Sequence, residues 1–446
     1  MPPPLSKIME LSRYSEILKG EDGYVYLFNT YSKKWLQLDA DLAALLSRHI
    51  NNLEIFKDLH SQFYEVLTKE HFVVENANED TKEVQRSLLE EYESLENVKI
   101  TINPTLDCNV RCWYCYEDRF EKSIMSDEII QATNNLLNAL ISTRKVRRLE
   151  LSFFGGEPLL HYDKVVSNIL KYIIPKCKEF DIFITLQFTS NGLLLSSRII
   201  ESLKGFDVPV NFQIAFDGNR EFHNEVKFLS NGYSCYDTTI KNVKNAIEAG
   251  FGVVVRCNYN KKTVLSFVEV IKDLAMYHQN DNLTFSFQRI WQETEDNEMK
   301  KLKEELTEKL LSNYCFNSNL KDLGTHSLSR CYADFQHNYL INYDGKVGRC
   351  TARNFTEEYC IGHLQADGLK LKNIESGFEA TSYNEQCVEC KLLTICPICS
   401  QCRREQGLNG CDIPTRPQQV LNTIINVFEF LSGKIISSEQ KKVIKL

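Results

Sequence analysis

Between Val98 and Trp291 short apolar runs alternate with longer stretches in which apolar residues recur every three or four positions. Six runs read as strands: Val98–Asn103, Leu149–Phe154, Ile182–Phe188, Val210–Phe216, Val253–Asn258 and Leu283–Gln288. Each is short, rich in β-branched or aromatic residues and bounded by turn formers. Helical spacing marks Asp127–Leu140, Tyr162–Cys177, Ser196–Leu203, Tyr236–Ala249 and Val264–Tyr277. Strands separated by helices are joined by crossovers, so the pattern predicts an α/β fold with a parallel sheet. Ligands of such sheets bind at the carboxyl ends of the strands, and the residues just after each strand are where chemistry is to be sought.

The flanks read differently. Tyr24–Asn29 and Lys34–Leu38 alternate around Thr30-Tyr31-Ser32 and predict a hairpin. Asp39 can cap a helix through Leu46, Leu53–Leu67 has helical spacing, Phe72–Val74 is strand-like, and Asn76–Glu96 is a charged helix or linker. A charged helix follows near Asn297–Leu311. The chain then becomes rich in cysteine and turns until a final helical stretch, Gln418–Phe430. A segment with so little apolar periodicity needs cross-links or metals to hold it. The expected divisions are 1–96, 97–312, 313–417 and 418–446.

The balance of 60 acidic against 52 basic residues, a formal charge of −8, lacks the basic footprint of a nucleic-acid partner. No apolar run reaches the ~18 residues of a membrane span, and Met1-Pro2-Pro3-Pro4 does not open like a signal peptide, so a cytoplasmic location with no membrane partner is expected. Sixteen cysteines change the picture. In a reducing compartment they must be ligands, nucleophiles or buried thiols. Cys177, Cys235, Cys257 and Cys315 are isolated and read as inert buried thiols. The remaining twelve fall into two groups, three within Cys108–Cys115 and nine within Cys331–Cys411.

The first group, Cys108-Asn-Val-Arg-Cys112-Trp-Tyr-Cys115, directly follows the first strand of the predicted sheet. Three thiolates on one tight loop suit a four-iron cluster with one iron lacking a protein ligand. A structural zinc site takes four ligands, usually from two Cys-x2-Cys pairs, and no fourth lies nearby. The triplet, with Tyr114 before its last cysteine, resembles that of radical S-adenosylmethionine enzymes. Phe154-Gly155-Gly156-Glu157-Pro158 after the second strand resembles that family's Gly-Gly-Glu motif. The resemblance extends over about 98–310 and implies a partial (βα)6 radical SAM barrel. It implies a [4Fe–4S] cluster on Cys108, Cys112 and Cys115 that binds S-adenosyl-L-methionine and reductively cleaves it to a 5′-deoxyadenosyl radical. Tyr114, Gly155, Gly156, Glu157, Ser190, Asn191, Asp217 and Arg256, at successive strand ends, would contact the cosubstrate, the glycines by letting backbone approach it and Glu157 by accepting from its ammonium. Ala215 stands where the family often has Ser, and Lys227 where it often has Arg.

The second group reads Cys331-x13-Gly345-x4-Cys350, then Cys387-x2-Cys390-x5-Cys396-x2-Cys399-x2-Cys402, then Cys411. It resembles the SPASM domain appended to radical enzymes that modify peptides, which carries up to two auxiliary [4Fe–4S] clusters. By that analogy the nearer cluster uses Cys331, Cys350 and Cys399 or Cys402, with Cys360 as a possible fourth ligand, and the distal one Cys387, Cys390, Cys396 and Cys411. The N-terminal stretch, with Leu27-Phe-Asn-Thr-Tyr-Ser-Lys-Lys-Trp35-Leu-Gln-Leu-Asp39, resembles the winged-helix-like α+β domain that binds leader peptides by strand addition. The expected activity is crosslink formation, thioether or carbon–carbon, in a ribosomally made precursor peptide. A reductant such as flavodoxin or ferredoxin would supply the electron. An anaerobic sulfatase-maturating, formylglycine-forming enzyme is the alternative activity, and a zinc-ribbon scaffold the alternative outside catalysis.

Overall fold

The computed structural model describes residues 9–227, 234–294, 296–311, 317–318, 330–372, 383, 385–396, 398–405 and 417–437. The chain forms two compact units: Met1–Ser94 with Leu323–Gln336 and Glu375–Leu446, and Leu95–Asp322 with His337–Ile374.

In the first unit, strands β1 (Ser15–Lys19), β2 (Val25–Asn29) and β3 (Trp35–Leu38) form an antiparallel sheet with β2 in the middle. Its alternation serves two cores. Leu27 and Leu38 join Leu46, Phe56, Phe63 and Phe72. Leu18, Tyr26 and Phe28 join Ile424, Ile425 and Phe428 of the helix Pro417–Ser432. Asp39 caps the next helix, Ala40–Arg48, by accepting from the Leu42 amide at 2.8 Å. β1 is not evident in the sequence pattern, and the C-terminal helix packs on this sheet.

The second unit is built on one sheet. Parallel strands β4 (Asn97–Ile102), β5 (Arg148–Phe153), β6 (Phe183–Ser190), β7 (Val210–Phe216), β8 (Gly252–Tyr259) and β9 (Leu283–Arg289) lie in sequence order, followed by β10 (Asn317–Ser318). All six expected strands are present, displaced by at most two residues at an end. Along β6 to β9 every second residue is buried and apolar: Ile184, Leu186 and Phe188; Phe212, Ile214 and Phe216; Val253 and Val255; Phe285 and Phe287. These pack with Ile169, Ile173, Ile199, Leu203 and Val243 of the crossover helices. The intervening residues, among them Gln187, Thr189, Gln213, Arg256, Asn258, Ser286 and Gln288, are half-buried and polar. A parallel sheet covered by helices on both faces reads as continuous apolar runs. Here one face is covered by helices and the other carries the half-buried polar residues.

Residues 337–374 continue this sheet beyond β4: β11 (Tyr339–Ile341) pairs with β4 in parallel, and β12 (Lys346–Gly348), β13 (Gly362–Gln365) and β14 (Gly368–Leu371) follow as an antiparallel meander. The stretch 313–417 is thus shared between the two units, because strands of three or four residues satisfy backbone groups on an existing sheet edge without a core of their own. Tyr162–Cys177 opens as a π-turn, Tyr162–Val166, before the α-helix Ser167–Glu179. Val264–Tyr277 is broken, with 3-10 turns at each end of Phe267–Asp273. Among the described residues no helix is long and apolar enough to cross a membrane.

Candidate active site

The loop after β4 is tied down at both feet. The Thr105 hydroxyl donates to the Ser123 carbonyl at 2.6 Å, the Ser123 hydroxyl accepts from the Leu106 amide at 2.9 Å, and the Met125 amide donates to the Pro104 carbonyl at 2.9 Å. Asp107 sits inside, accepting from the amides of Cys108 (2.8 Å) and Lys122 (2.9 Å) and from Arg119 (3.1 Å). Burial raises its pKa, but these donors outweigh burial and hold the carboxyl below its usual range. Cys108 and Cys112 are half-buried and Cys115 exposed. Burial pushes the Cys108 thiol up to about 12 and the Cys112 thiol up to about 11, and raises Cys115 as well. Such thiols stay protonated until a cation takes them as thiolates. Among the described residues no three His, Cys, Asp or Glu side chains converge on one metal ion. A donor set of three thiols spread along one loop fits the separate corners of a four-iron cluster better than a single ion.

The turn after β5 braces this loop. Gly155 has φ +100°, and a Cβ there would lie 2.3 Å from the Thr105 carbonyl oxygen. At Gly156 it would lie 2.1 Å from that of Asp107. The amides of Gly156 and Glu157 donate to those same two carbonyls at 3.1 and 2.9 Å. The glycines therefore admit the cysteine loop's backbone, where the sequence suggested approach to a ligand. Glu157 is held by the protein on several sides. Its carboxylate is fully buried and accepts from the Leu159 amide (3.1 Å), the Ser190 hydroxyl (2.9 and 3.1 Å) and the Asn191 amide (2.8 Å). Burial raises its pKa to about 7 despite these donors. It joins the ends of β5 and β6. Asn191 in turn donates to the Asn109 side chain at 2.7 Å and lies 3.8 Å from the Cys108 sulfur.

Further along the sheet the Tyr114 hydroxyl donates to Asp217 and accepts from Asn258 at 3.0 Å. Lys227, 2% exposed, donates to the other Asp217 oxygen at 2.5 Å and to the Ala215 carbonyl at 2.8 Å. His223 is also buried, its Nδ1 accepting from the Asp217 amide at 3.4 Å, and burial keeps its ring neutral. Arg256 donates to the Asn258 side chain at 2.9 Å. Tyr114, Gly155, Gly156, Glu157, Ser190, Asn191, Asp217 and Arg256 are thus gathered at adjacent strand ends around the three cysteines. Beside the loop lies a cavity of about 220 Å³ whose walls include Leu106, Tyr116, Phe120, Tyr343, Arg353 and Phe355.

Residues 102–274 match the family model of the radical SAM superfamily. These residues form a radical SAM domain. The chain is 23% identical over 316 residues to the radical SAM cyclopropyl synthase TigE of Paramaledivibacter caminithermalis, an alignment covering 63% of this chain and 61% of that protein, so it spans less than two thirds of that relative. The solved structure of anSMEcpe with bound AdoMet is 15% identical and superimposes with a TM-score of 0.54, over 78% of this chain and all of that one. Its complex with AdoMet and the Cp18Cys peptide gives 0.53 at 16% identity, over 75% and 100%. At such identities the structural likeness establishes the fold. The radical SAM family implies a [4Fe–4S] cluster and S-adenosylmethionine.

Outside the radical SAM domain, hydrogen bonds link Cys331 to Cys399 and Cys399 to Cys402. Donation from Cys331 draws the Cys399 thiol below its ordinary pKa and holds Cys331 above its own. Arg403 and Asp334, both buried, pair beside them at 3.7 Å. The Cys390 amide closes a turn on the Cys387 carbonyl at 3.1 Å, and the Cys396 thiol donates to the Ile398 carbonyl at 3.8 Å. Cys350 and Cys360 belong to the unit of the large sheet, where Cys360 donates to the Gly362 carbonyl at 3.2 Å. Cys177, Cys235 and Cys257 are fully buried, in keeping with inert thiols. Cys315 and Cys411 lie outside the described residues. Asp107, Asn109, Ser123 and His223 went unnoticed in the sequence, where each is a common polar residue in a loop or short helix.

Proposed function

We propose that the chain is a radical SAM maturase that abstracts hydrogen from a ribosomally made precursor peptide and installs a crosslink, thioether or carbon–carbon. One observation carries the reading: the three-cysteine loop is braced at the carboxyl edge of a parallel sheet, against the Gly155–Glu157 turn and beside the sheet's polar face. Cys108, Cys112 and Cys115 would hold a [4Fe–4S] cluster, which with S-adenosylmethionine supplies a 5′-deoxyadenosyl radical. The protein's part is to hold the thiols, orient the cosubstrate among Tyr114, Ser190, Asn191, Asp217 and Arg256, and keep water from the radical. Glu157, satisfied by protein donors, acts by fixing the ends of β5 and β6.

A peptide substrate is supported by the likeness to anSMEcpe, whose structure was solved with a bound Cp18Cys peptide, and by the nine cysteines grouped within Cys331–Cys411. Cys399, hydrogen-bonded to both Cys331 and Cys402, makes these three the best-supported auxiliary ligands. Cys350, Cys387, Cys390, Cys396 and Cys411 complete the proposed set of one or two further clusters. Among the described residues β3 has a strand partner on one side only, and it ends at the Asp39 helix cap, which suits it to pair with a leader peptide. A flavodoxin or ferredoxin is the proposed electron source.

The test is anaerobic purification, iron and sulfide analysis, and assay of 5′-deoxyadenosine, with and without the precursor peptide encoded beside the gene. Loss of two hydrogens from the peptide with a new crosslink in its fragmentation pattern is expected. A hydrazide-reactive product would indicate a formylglycine-forming activity instead. Absence of iron and of S-adenosylmethionine cleavage would refute the enzyme reading.

A further inference from the structure

We propose that Lys227 is a positioning residue: through Asp217 it fixes Tyr114, and with it the Cys112–Cys115 arm of the cysteine loop, rather than touching the cosubstrate itself. The inference rests on the reading of Cys108, Cys112 and Cys115 as cluster ligands. A free cation at the end of β7 could reach for a carboxylate on a small molecule, but Lys227 is occupied. Its ammonium is 2% exposed, 2.5 Å from Asp217 and 2.8 Å from the Ala215 carbonyl. The opposite oxygen of Asp217 accepts from the Tyr114 hydroxyl, which Asn258 steadies from the end of β8. Tyr114 lies between Cys112 and Cys115, and the Cys115 amide closes a turn on the Cys112 carbonyl at 3.2 Å.

The chain of contacts thus runs from the end of a short helix, Arg220–Val226, across two strand ends and into the loop. Its charge is needed. Asp217 is buried, and a buried carboxylate without a counter-ion would draw in water, which loosens its hold on Tyr114. Arginine at this position would bring a wider, forked head into a space that now holds a single ammonium between a carboxylate and a carbonyl.

Two variants separate positioning from direct binding. Tyr114→Phe removes only the hydroxyl and leaves the ion pair. Hydrogen–deuterium exchange of residues 112–116 is expected to quicken about tenfold or more, the worth of one charge-assisted hydrogen bond, while the rest of the sheet is unchanged. Exchange in that segment at the wild-type rate would overturn the proposal. Lys227→Met removes the counter-ion and leaves Asp217 in place. If Lys227 positions, exchange of residues 112–116 quickens in this variant as it does in Tyr114→Phe, and any loss of S-adenosylmethionine affinity accompanies that loosening. A loss of about tenfold or more with normal exchange in the loop would make Lys227 a ligand-binding residue and sink the proposal. Exchange can be read without iron, so failure of the cluster assignment and failure of this inference remain distinguishable.

Discussion

Replacing Gly156 by alanine asks whether the Gly-Gly-Glu turn braces the cysteine loop. The new Cβ would stand 2.1 Å from the Asp107 carbonyl oxygen, 2.5 Å from its carbon and 2.7 Å from the carbonyl carbon of Leu106. Comfortable contacts lie at about 3.5 Å, so the turn and the loop must separate by roughly 1 Å or more, and every obstructing atom is backbone. The hydrogen bonds of Gly156 to Thr105 (3.1 Å) and of Glu157 to Asp107 (2.9 Å) would then stretch past their useful range. Losing two such bonds costs about 1–3 kcal/mol and the overpacking a further 1–3, so the sum is about 2–6 kcal/mol. In a unit of this size that is a fall in Tm of roughly 5–20 °C, or, if the loop alone yields, a smaller fall with most of the iron lost. Differential scanning calorimetry and iron analysis of the same preparation read both. Gly205→Ala is the control: φ there is −62° and a Cβ would meet Ser202 at 3.4 Å, so it should be neutral or stabilising by up to about 1 kcal/mol. Gly156→Ala with wild-type Tm, iron content and S-adenosylmethionine affinity would refute the bracing argument.

Four further outcomes are expected. The pKa of Glu157 is raised in the fold, to about 7 from 4.5, so its contribution is fully present below about pH 4.5 and is lost as pH rises through 7. Glu157→Gln should therefore gain stability relative to wild type between pH 5 and 7.5, by up to roughly 3 kcal/mol, and a pH-independent difference in melting temperature would contradict this. Changing Cys108, Cys112 and Cys115 together to alanine should abolish 5′-deoxyadenosine formation while iron bound through Cys331, Cys399 and Cys402 remains, as elemental analysis will show. Cys399→Ala and Cys402→Ala should each lower that auxiliary iron, and full retention in either would remove the residue from the ligand set. Gln37→Pro in β3 deletes a backbone donor, so it should leave S-adenosylmethionine cleavage intact but impair processing of a leader-bearing precursor, measured by mass spectrometry.

The large sheet is legible because β6 to β9 are long enough for alternation to register, with Phe188, Phe212 and Phe285 marking the covered face. The cysteine loop is legible because three thiols within eight residues, directly after a strand, suit little besides metal binding. What the sequence conceals is which polar residue answers which. That Glu157 accepts from Ser190 and Asn191, more than thirty positions away, has no signal in the sequence. That Gly155 and Gly156 also make room for the backbone of Thr105 and Asp107 is likewise hidden in the sequence. β11 to β14 are invisible to periodicity because three- and four-residue strands hold less than two full repeats. The spacing leaves Cys399 and Cys402 as rivals for one ligand position, and the hydrogen bonds of Cys399 to Cys331 and to Cys402 have no signal in it.

The pairing of β4 with β11 has a consequence for how the protein is made. β4 carries the cysteine loop at its end and is the first strand of the sheet to leave the ribosome, yet the strand that covers its outer edge, Tyr339–Ile341, arrives 239 residues after Ile102 (341 − 102). At roughly 5–20 residues per second the nascent chain exposes an apolar edge, Ile100 and Ile102 included, for about 12–50 s. An open strand edge is a template for pairing with other chains. The loop's own foot is unfinished for the same interval, since the Asn103 amide finds its partner only in the Ile341 carbonyl, at 2.8 Å. Metal delivery before that moment would meet three thiols on a flexible tether. Delivery after it would meet a loop already set.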